Sequence, residues 1–200
     1  QNAGHGLFST VATKKDARRM SKILTEPSFF SGWGIRTLAI SQARYNPMSY
    51  HNGSIWPHDN ALIAWGMSRY GFKESVLKVL TGLFDASLFF DLNRLAELFC
   101  GFIRRPGEGP ILYPVACNPQ AWSSAAVFML LQSCLGLHID GRNQKIYFKD
   151  SMMPPFLEEI KILNLRVGSA NVDMILQRHG DKVGVKVTRQ EGKLQIILSK

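Results

Sequence analysis

The chain has 200 residues, of which 46% are hydrophobic and 20% charged, a composition that buries a core and excludes disorder and coiled coil. Its longest nearly apolar stretches, 121–137 and 79–90, are broken by Ser, Gln, Asp and Gly before they reach the ~18 to 20 residues a bilayer helix needs, so a soluble protein without a membrane partner is expected. The formal net charge of +9 divides as +5 over 1–70, −1 over 71–141 and +5 over 142–200, too dispersed to point to a nucleic-acid partner.

The first element predicted is a helix capped by Thr13 and running through Leu24. Its basic cluster, Lys14, Lys15, Arg18, Arg19 and Lys22, recurs at helical spacing and reads as a solvated outer face. Pro57 marks the start of a second helix that reaches Tyr70 before Gly71 stops it, and Phe72 to Phe90 forms a third. Asp91 to Phe102 is expected as a short fourth helix or helix-loop element. Asn118 and Pro119 supply the N-cap and first position of a fifth, which ends at Gly136. Residues 61–67 and 121–135 are apolar nearly all round, which predicts interior helices wrapped by others. After Gly136 the period changes to strand-like, with short runs at 145–148, 160–163, 183–187 and 194–198, and with hairpin turns at 178–181 and 190–193. The expected domains are therefore a helical part, 1–136, and a β-rich part, 137–200, the latter a small antiparallel sheet.

Three strings gather the polar and aromatic residues. The first runs from Gly32 to Thr37 and includes Trp33 and Arg36, and its continuation from Tyr50 to Asn60 holds His51, Asn52, Trp56, His58 and Asp59. Flat aromatic faces beside amide, imidazole, guanidinium and carboxylate groups suit a sugar, whose C–H faces stack and whose hydroxyls hydrogen-bond. A proline turn with a staple tryptophan would give the same composition. The second string, Asp91 to Gly101, places Glu97 alone in apolar surroundings, where a carboxylate is either paired or functional; Arg94 three residues earlier is the structural alternative, a helix-face ion pair. The third, Tyr113 to Trp122, brings Gln120 and Trp122 to a helix N-terminus. His51 and His58 lack the spacing of a zinc site, and neither a metal nor another cofactor is expected. Cys100, Cys117 and Cys134 form no CxxC pair, which suggests a reducing, cytoplasmic compartment and inert packing.

The strings GWGIRTL, YNPMSYHNGSIWPHDNALIAWG, LNRLAELFCGF and YPVACNPQAW, in this order and spacing, resemble the C-terminal part of the glycogen-debranching amylo-α-1,6-glucosidase family and its bacterial relatives. The resemblance runs from near Gly4 to about Gly136 and more weakly beyond. It implies a mainly α fold, part of an (α/α)6 toroid followed by a small antiparallel β segment, and hydrolysis of an α-glucosidic bond in glycogen-like glucans, α-1,6 by preference, with inversion. The family's general base falls on Glu97. Trp33, Arg36, His51, Asn52, Trp56, His58, Asp59, Gln120 and Trp122 fall on positions that line or support the sugar pocket. Ala96 stands where the family commonly has Pro, and about five or six of the toroid's twelve helices are accounted for. The resemblance puts the general acid, an Asp, upstream of this chain, which lacks an initiator Met and reads as a piece of a longer protein. Its expected partners are an oligo- or polysaccharide substrate and the missing N-terminal half of the toroid, or a further copy of the chain. The rivals are a toroid glycosidase or phosphorylase acting on another sugar, and a non-catalytic carbohydrate-binding fragment.

Overall fold

A computed structural model describes residues 2–199 and divides the chain into two compact units, Gln1–Leu131 and Gln132–Lys200. The first unit opens with a 3-10 turn at Asn2–Gly4 and the one-turn helix α1, His5–Phe8, followed by α2, Lys14–Thr25. Thr13 caps α2: its Oγ1 accepts the Asp16 N–H at 3.2 Å and donates to the Asp16 carboxylate at 2.6 Å. The helix buries Ala17, Ser21 and Leu24, and all five basic residues of the cluster stand in solvent on the other faces. Pro57 occupies the first turn of α3, Pro57–Arg69, where its missing N–H costs nothing, and α4 follows as Lys73–Ser87. Gly71, at φ +83°, makes the tight turn between them. Helix α3 packs against α1 and α4, and Gly66 is what admits α1. A Cβ at that position would lie 2.5 Å from the Leu7 carbonyl carbon.

Between and after these helices the chain is extended or irregular. Segment 26–56 is rich in Gly, Pro, Asn and Ser, and segment 88–120 in Gly, Pro and Asn, which do not sustain a helix. Of the two expectations for 91–102, a short helix or a helix-loop element, the structure gives a single 3-10 turn, Asp91–Asn93, interrupted by positive φ at Leu92 and Asn93, and then non-helical chain over 94–101. The fifth helix, α5, spans Ala121–Leu135, and its first backbone bond runs from Ser124 N–H to Gln120 O, so Asn118 and Pro119 lie outside it. The expectation of an interior helix there is also corrected. Ser123, Ala126 and Leu130 are buried, whereas Trp122, Val127 and Phe128 are exposed.

The second unit holds the last residues of α5 and six strands: β1 Leu137–Asp140, β2 Lys145–Lys149, β3 Glu159–Val167, β4 Ala170–His179, β5 Lys182–Glu191 and β6 Gln195–Ser199. They form two three-stranded sheets, β1-β2-β6 and β3-β4-β5, not one antiparallel sheet. Strand β4 buries Ala170, Val172, Met174 and Leu176 by the two-residue alternation of a strand, and the last three join a core with Leu135, Ile146, Phe148, Met153 and Val167. The turn at Gly180-Asp181 closes the β4–β5 hairpin as expected. The one expected at 190–193 does not close another, because β6 leaves that sheet and pairs in parallel with β2.

The expected fold class is overturned. The chain is 32% helical and 25% strand, and the described residues form five α-helices, one of them a single turn, and two small sheets. It is neither mainly α nor an (α/α)6 toroid. The physical reason lies in the two long non-helical segments, which the toroid would need as helices and whose residues pair instead as extended chain.

Candidate active site

Those extended segments are what assemble the site. Single-residue antiparallel bridges join Arg36 to Ile55, Ile55 to Phe99 and Phe99 to Leu112, so that all four strings recognised in the sequence lie side by side within the first unit. Ile55 and Phe99 exchange both backbone bonds, at 2.9 and 3.0 Å, and are fully buried. Asn60 ties α3 to the first string: its side-chain oxygen accepts the Ile35 N–H at 2.7 Å and its amide N–H donates to Ile35 O and Trp56 O. Gly101 lets the 91–101 segment touch the 50–60 segment, since a Cβ there would sit 1.7 Å from Gly53 O.

Glu97 projects from this lacework, 8% exposed. The Tyr50 hydroxyl donates to its Oε1 at 2.6 Å and the Cys117 N–H to its Oε2 at 3.2 Å, while Glu97 N–H donates to Cys117 O at 2.9 Å. Hydrogen bonds to the charged form outweigh desolvation: Tyr50 first, then the Cys117 backbone and thiol, and the nearby His58 hold the Glu97 carboxyl below its ordinary value. The same bond, with burial and the Glu97 charge, pushes the Tyr50 phenol up to about 12. Arg94 is exposed, and the segment from Arg94 to Glu97 is not helical; the helix-face ion pair requires a helix that is not there.

Aromatic rings surround this carboxylate. Tyr50 meets Trp56 edge-on at 4.8 Å, His51 at 4.7 Å and Tyr113 at 5.7 Å, and Trp56 in turn meets Trp122 at 6.3 Å. His58 stacks on Trp122 at 4.2 Å. Trp56 is buried, and its indole N–H donates to Tyr50 O and Ser54 Oγ, whereas Trp122 is 45% exposed. Asp59 has one oxygen 3.0 Å from His5 Nε2 and 3.5 Å from His58 Nε2. Burial lowers the pKa of His58 despite the Asp59 and Glu97 charges, and its buried Nδ1 has no hydrogen-bond partner.

Of the residues singled out in the sequence, Glu97, His51, Trp56, His58 and Trp122 converge here, with Asp59 joined to them through His58. Trp33 and Arg36 are engaged elsewhere. The Trp33 ring lies edge-on to Phe89 with the Arg104 guanidinium 4.3 Å over its face. Arg36 is buried and donates to Gly101 O at 2.6 Å and Pro27 O at 3.0 Å, which clamps the first string to the second. Asn52 is exposed in the turn before Gly53, where its backbone joins Asn46 and Ser49, and Gln120 accepts the Ala121 N–H through its side chain. Tyr50, Tyr113, Cys117 and His5 were not assigned roles by the sequence. Tyr50, Tyr113 and Cys117 lie inside the recognised strings, but nothing in spacing alone shows that a hydroxyl 47 residues from Glu97 meets it. Among the described residues, no group of three or more His, Cys, Asp or Glu side chains is disposed to hold a metal ion, and no helix is long and apolar enough to cross a membrane.

Residues 6–99, just short of half the chain, match the family model of the mannosylglycerate hydrolase MGH1-like glycoside hydrolase domain, which supports a glycoside hydrolase and a glycosidase activity in general. That stretch carries GWGIRTL, YNPMSYHNGSIWPHDNALIAWG and LNRLAELF, with Glu97 in the last. No curated protein matches the chain.

Proposed function

We propose that the site hydrolyses an α-glycosidic bond with inversion, Glu97 serving as the general base. The observation that supports this reading most directly is the environment of Glu97, an ionised carboxylate whose two oxygens are oriented by Tyr50 and the Cys117 N–H. Such a group accepts a proton from water and does not donate one. Water deprotonated by Glu97 attacks the anomeric carbon, the C–O bond to the leaving group breaks, and an acid on the opposite face of the sugar protonates the departing oxygen. In inverting enzymes base and acid stand ~6.5 to 9.5 Å apart, with room for that water between base and sugar. Asp59, already shared by His5 and His58, is suited to accept a substrate hydroxyl. Following the family resemblance, we assign the acid to an Asp upstream of the strings, so assays belong on the protein expressed from its complete gene.

The substrate reading that follows the four strings is an α-1,6-linked glucan of the debranching type. The match of residues 6–99 to a mannosylglycerate hydrolase-like domain favours a second, an α-mannoside of glycerate. Trp122, with its exposed face, suits the stacking of a single hexose ring in either case. The test is to offer an α-1,6-branched dextrin, isomaltose and mannosylglycerate separately, and to follow the first product by proton NMR. Early release of the β-anomer from an α-glycoside is the expected result. Early release of the α-anomer would mean a covalent intermediate and would remove Glu97 from the role of base.

A further inference from the structure

The Tyr50 hydroxyl has a short bond to the carboxylate, and the sequence strings assign it no role. We infer that Tyr50 is a positioning residue, an arm that holds the Glu97 carboxylate in the orientation and ionisation from which it accepts a proton. This deepens the reading of Glu97 as a base and rests on it.

Three features of the geometry carry the inference. First, the bond from Tyr50 Oη to Glu97 Oε1 is 2.6 Å, in the range of a charge-assisted O–H···O⁻ bond, and the Cys117 N–H takes the other oxygen at 3.2 Å. With each oxygen held by a different donor, the carboxylate plane cannot rotate freely about its terminal bond. Second, Tyr50 is itself fixed at both ends. Its carbonyl accepts from Ser54 Oγ at 2.6 Å and from the Trp56 indole at 3.2 Å, and its ring is held edge-on by Trp56, His51 and Tyr113. A donor with so little freedom is preorganised. Third, the charged and titratable groups facing Glu97 are Tyr50, Cys117 and His58, and those facing Tyr50 are Glu97, Cys117, Tyr113 and His51. Tyr50 makes the shorter of the two bonds to the Glu97 carboxylate, 2.6 Å against 3.2 Å from the Cys117 N–H. With its own pKa near 12 it remains a donor throughout the range in which Glu97 titrates, so it cannot take the proton that Glu97 must receive.

Removing the hydroxyl therefore raises the Glu97 pKa, and the acid limb of activity moves to higher pH. The experiment follows the Glu97 side-chain carboxyl carbon by NMR through a pH titration, its signal assigned by its loss in Glu97→Gln. In Tyr50→Phe, which keeps the ring and its edge-on contacts, the titration should move to higher pH. The acid limb of kcat/KM should move with it, and kcat/KM at its plateau should fall by about 10-fold or more with KM little changed. If Tyr50→Phe does not fold, 3-fluorotyrosine placed at position 50 keeps the shape and makes a stronger donor, and Glu97 should then titrate lower than in the parent. An unchanged Glu97 titration in the variant that folds, with only a lowered melting temperature, would overturn the inference and leave Tyr50 a packing residue. Because the NMR titration needs no turnover, that failure is separate from failure of the base assignment, which would show instead as full activity in Glu97→Gln.

Discussion

Trp122 and Trp56 sit 6.3 Å apart in the same cluster, yet the structure predicts that removing them has different consequences. Trp122 is 45% exposed and covers the His58 ring with its other side, whereas Trp56 is 7% exposed. A large aromatic side chain presents on the order of 200 Å², so roughly 100 Å² of Trp122 is open to a sugar. At ~25 cal/mol per Å² full coverage would be worth about 2.5 kcal/mol, and stacking of one hexose on part of that face about 1 to 1.5, or a factor of about 5 to 10 in affinity. Trp122→Ala should therefore weaken binding of isomaltose or mannosylglycerate, whichever is the substrate, by about that factor in a Glu97→Gln background where no turnover interferes. Its removal also hydrates His58, whose pKa is lowered chiefly by burial, so the His58 titration should move upward. Trp56→Ala leaves almost no exposed face to lose, and its cost should appear in stability, about 3 to 5 kcal/mol for a buried aromatic. Titration calorimetry and thermal unfolding on the two variants separate the effects. Affinity unchanged in Trp122→Ala, together with a melting loss as large as that of Trp56→Ala, would show that Trp122 is core and that the stacking argument is wrong.

Gly101→Ala would drive a Cβ to 1.7 Å from the Gly53 carbonyl and force apart the segments that carry Glu97 and His51; the variant should be recovered in low soluble yield or with a strongly lowered melting temperature, and a normal melt would contradict the described approach. The Glu97 carboxyl is held below its ordinary value in the fold, so its hydrogen bonds stabilise the protein above the ordinary glutamate range and that contribution is lost as pH falls through the lowered folded value; urea midpoints measured down through that range should fall less in Glu97→Gln than in the parent. Cys117 is exposed while Cys100 and Cys134 are buried, so a bulky thiol reagent should label Cys117 first and, because its backbone and thiol both reach Glu97, abolish turnover; Cys117→Ala should be resistant to the reagent.

How far the sequence reveals this molecule depends on whether the signal is local. Thr13, Pro57 and Gly71 act within a turn of themselves, and the helices they bound appear where their chemistry puts them. Residues 94–101 contain Leu, Ala and Glu, good helix formers, yet form no helix, and Phe99 pairs with Ile55 and Leu112, partners 44 and 13 residues away that no local propensity contains. The apolar circumference of α5 records which residues favour cover, not which receive it, and so Val127 and Phe128 stand exposed where burial was expected. The parallel pairing of β6 with β2 has the same origin, since Gln190 to Lys193 has the composition of a hairpin turn and only tertiary pairing sends the next strand elsewhere. In the site, Glu97 was legible as a lone acid in an apolar stretch. Its ligands were not, because Tyr50 and Cys117 reach it from segments 47 and 20 residues distant. Arg36 and Trp33 have the composition of sugar contacts, and their contacts in the fold are with Gly101, Pro27, Phe89 and Arg104.

The central claim is that Glu97 activates water. Its most direct measurement is chemical rescue in the protein expressed from the complete gene. Glu97→Ala removes the proton acceptor and opens space beside Tyr50 and Cys117, so hydrolysis should fall by at least ~10² to 10⁴. Azide, a small anion that needs no deprotonation, should then attack the anomeric carbon in place of water, restoring release of the leaving group and giving a β-glycosyl azide detectable by NMR. Glu97→Ala that hydrolyses its substrate at the parent rate, or rescue that yields only the α-azide, would contradict the assignment of Glu97 as the base of an inverting glycosidase.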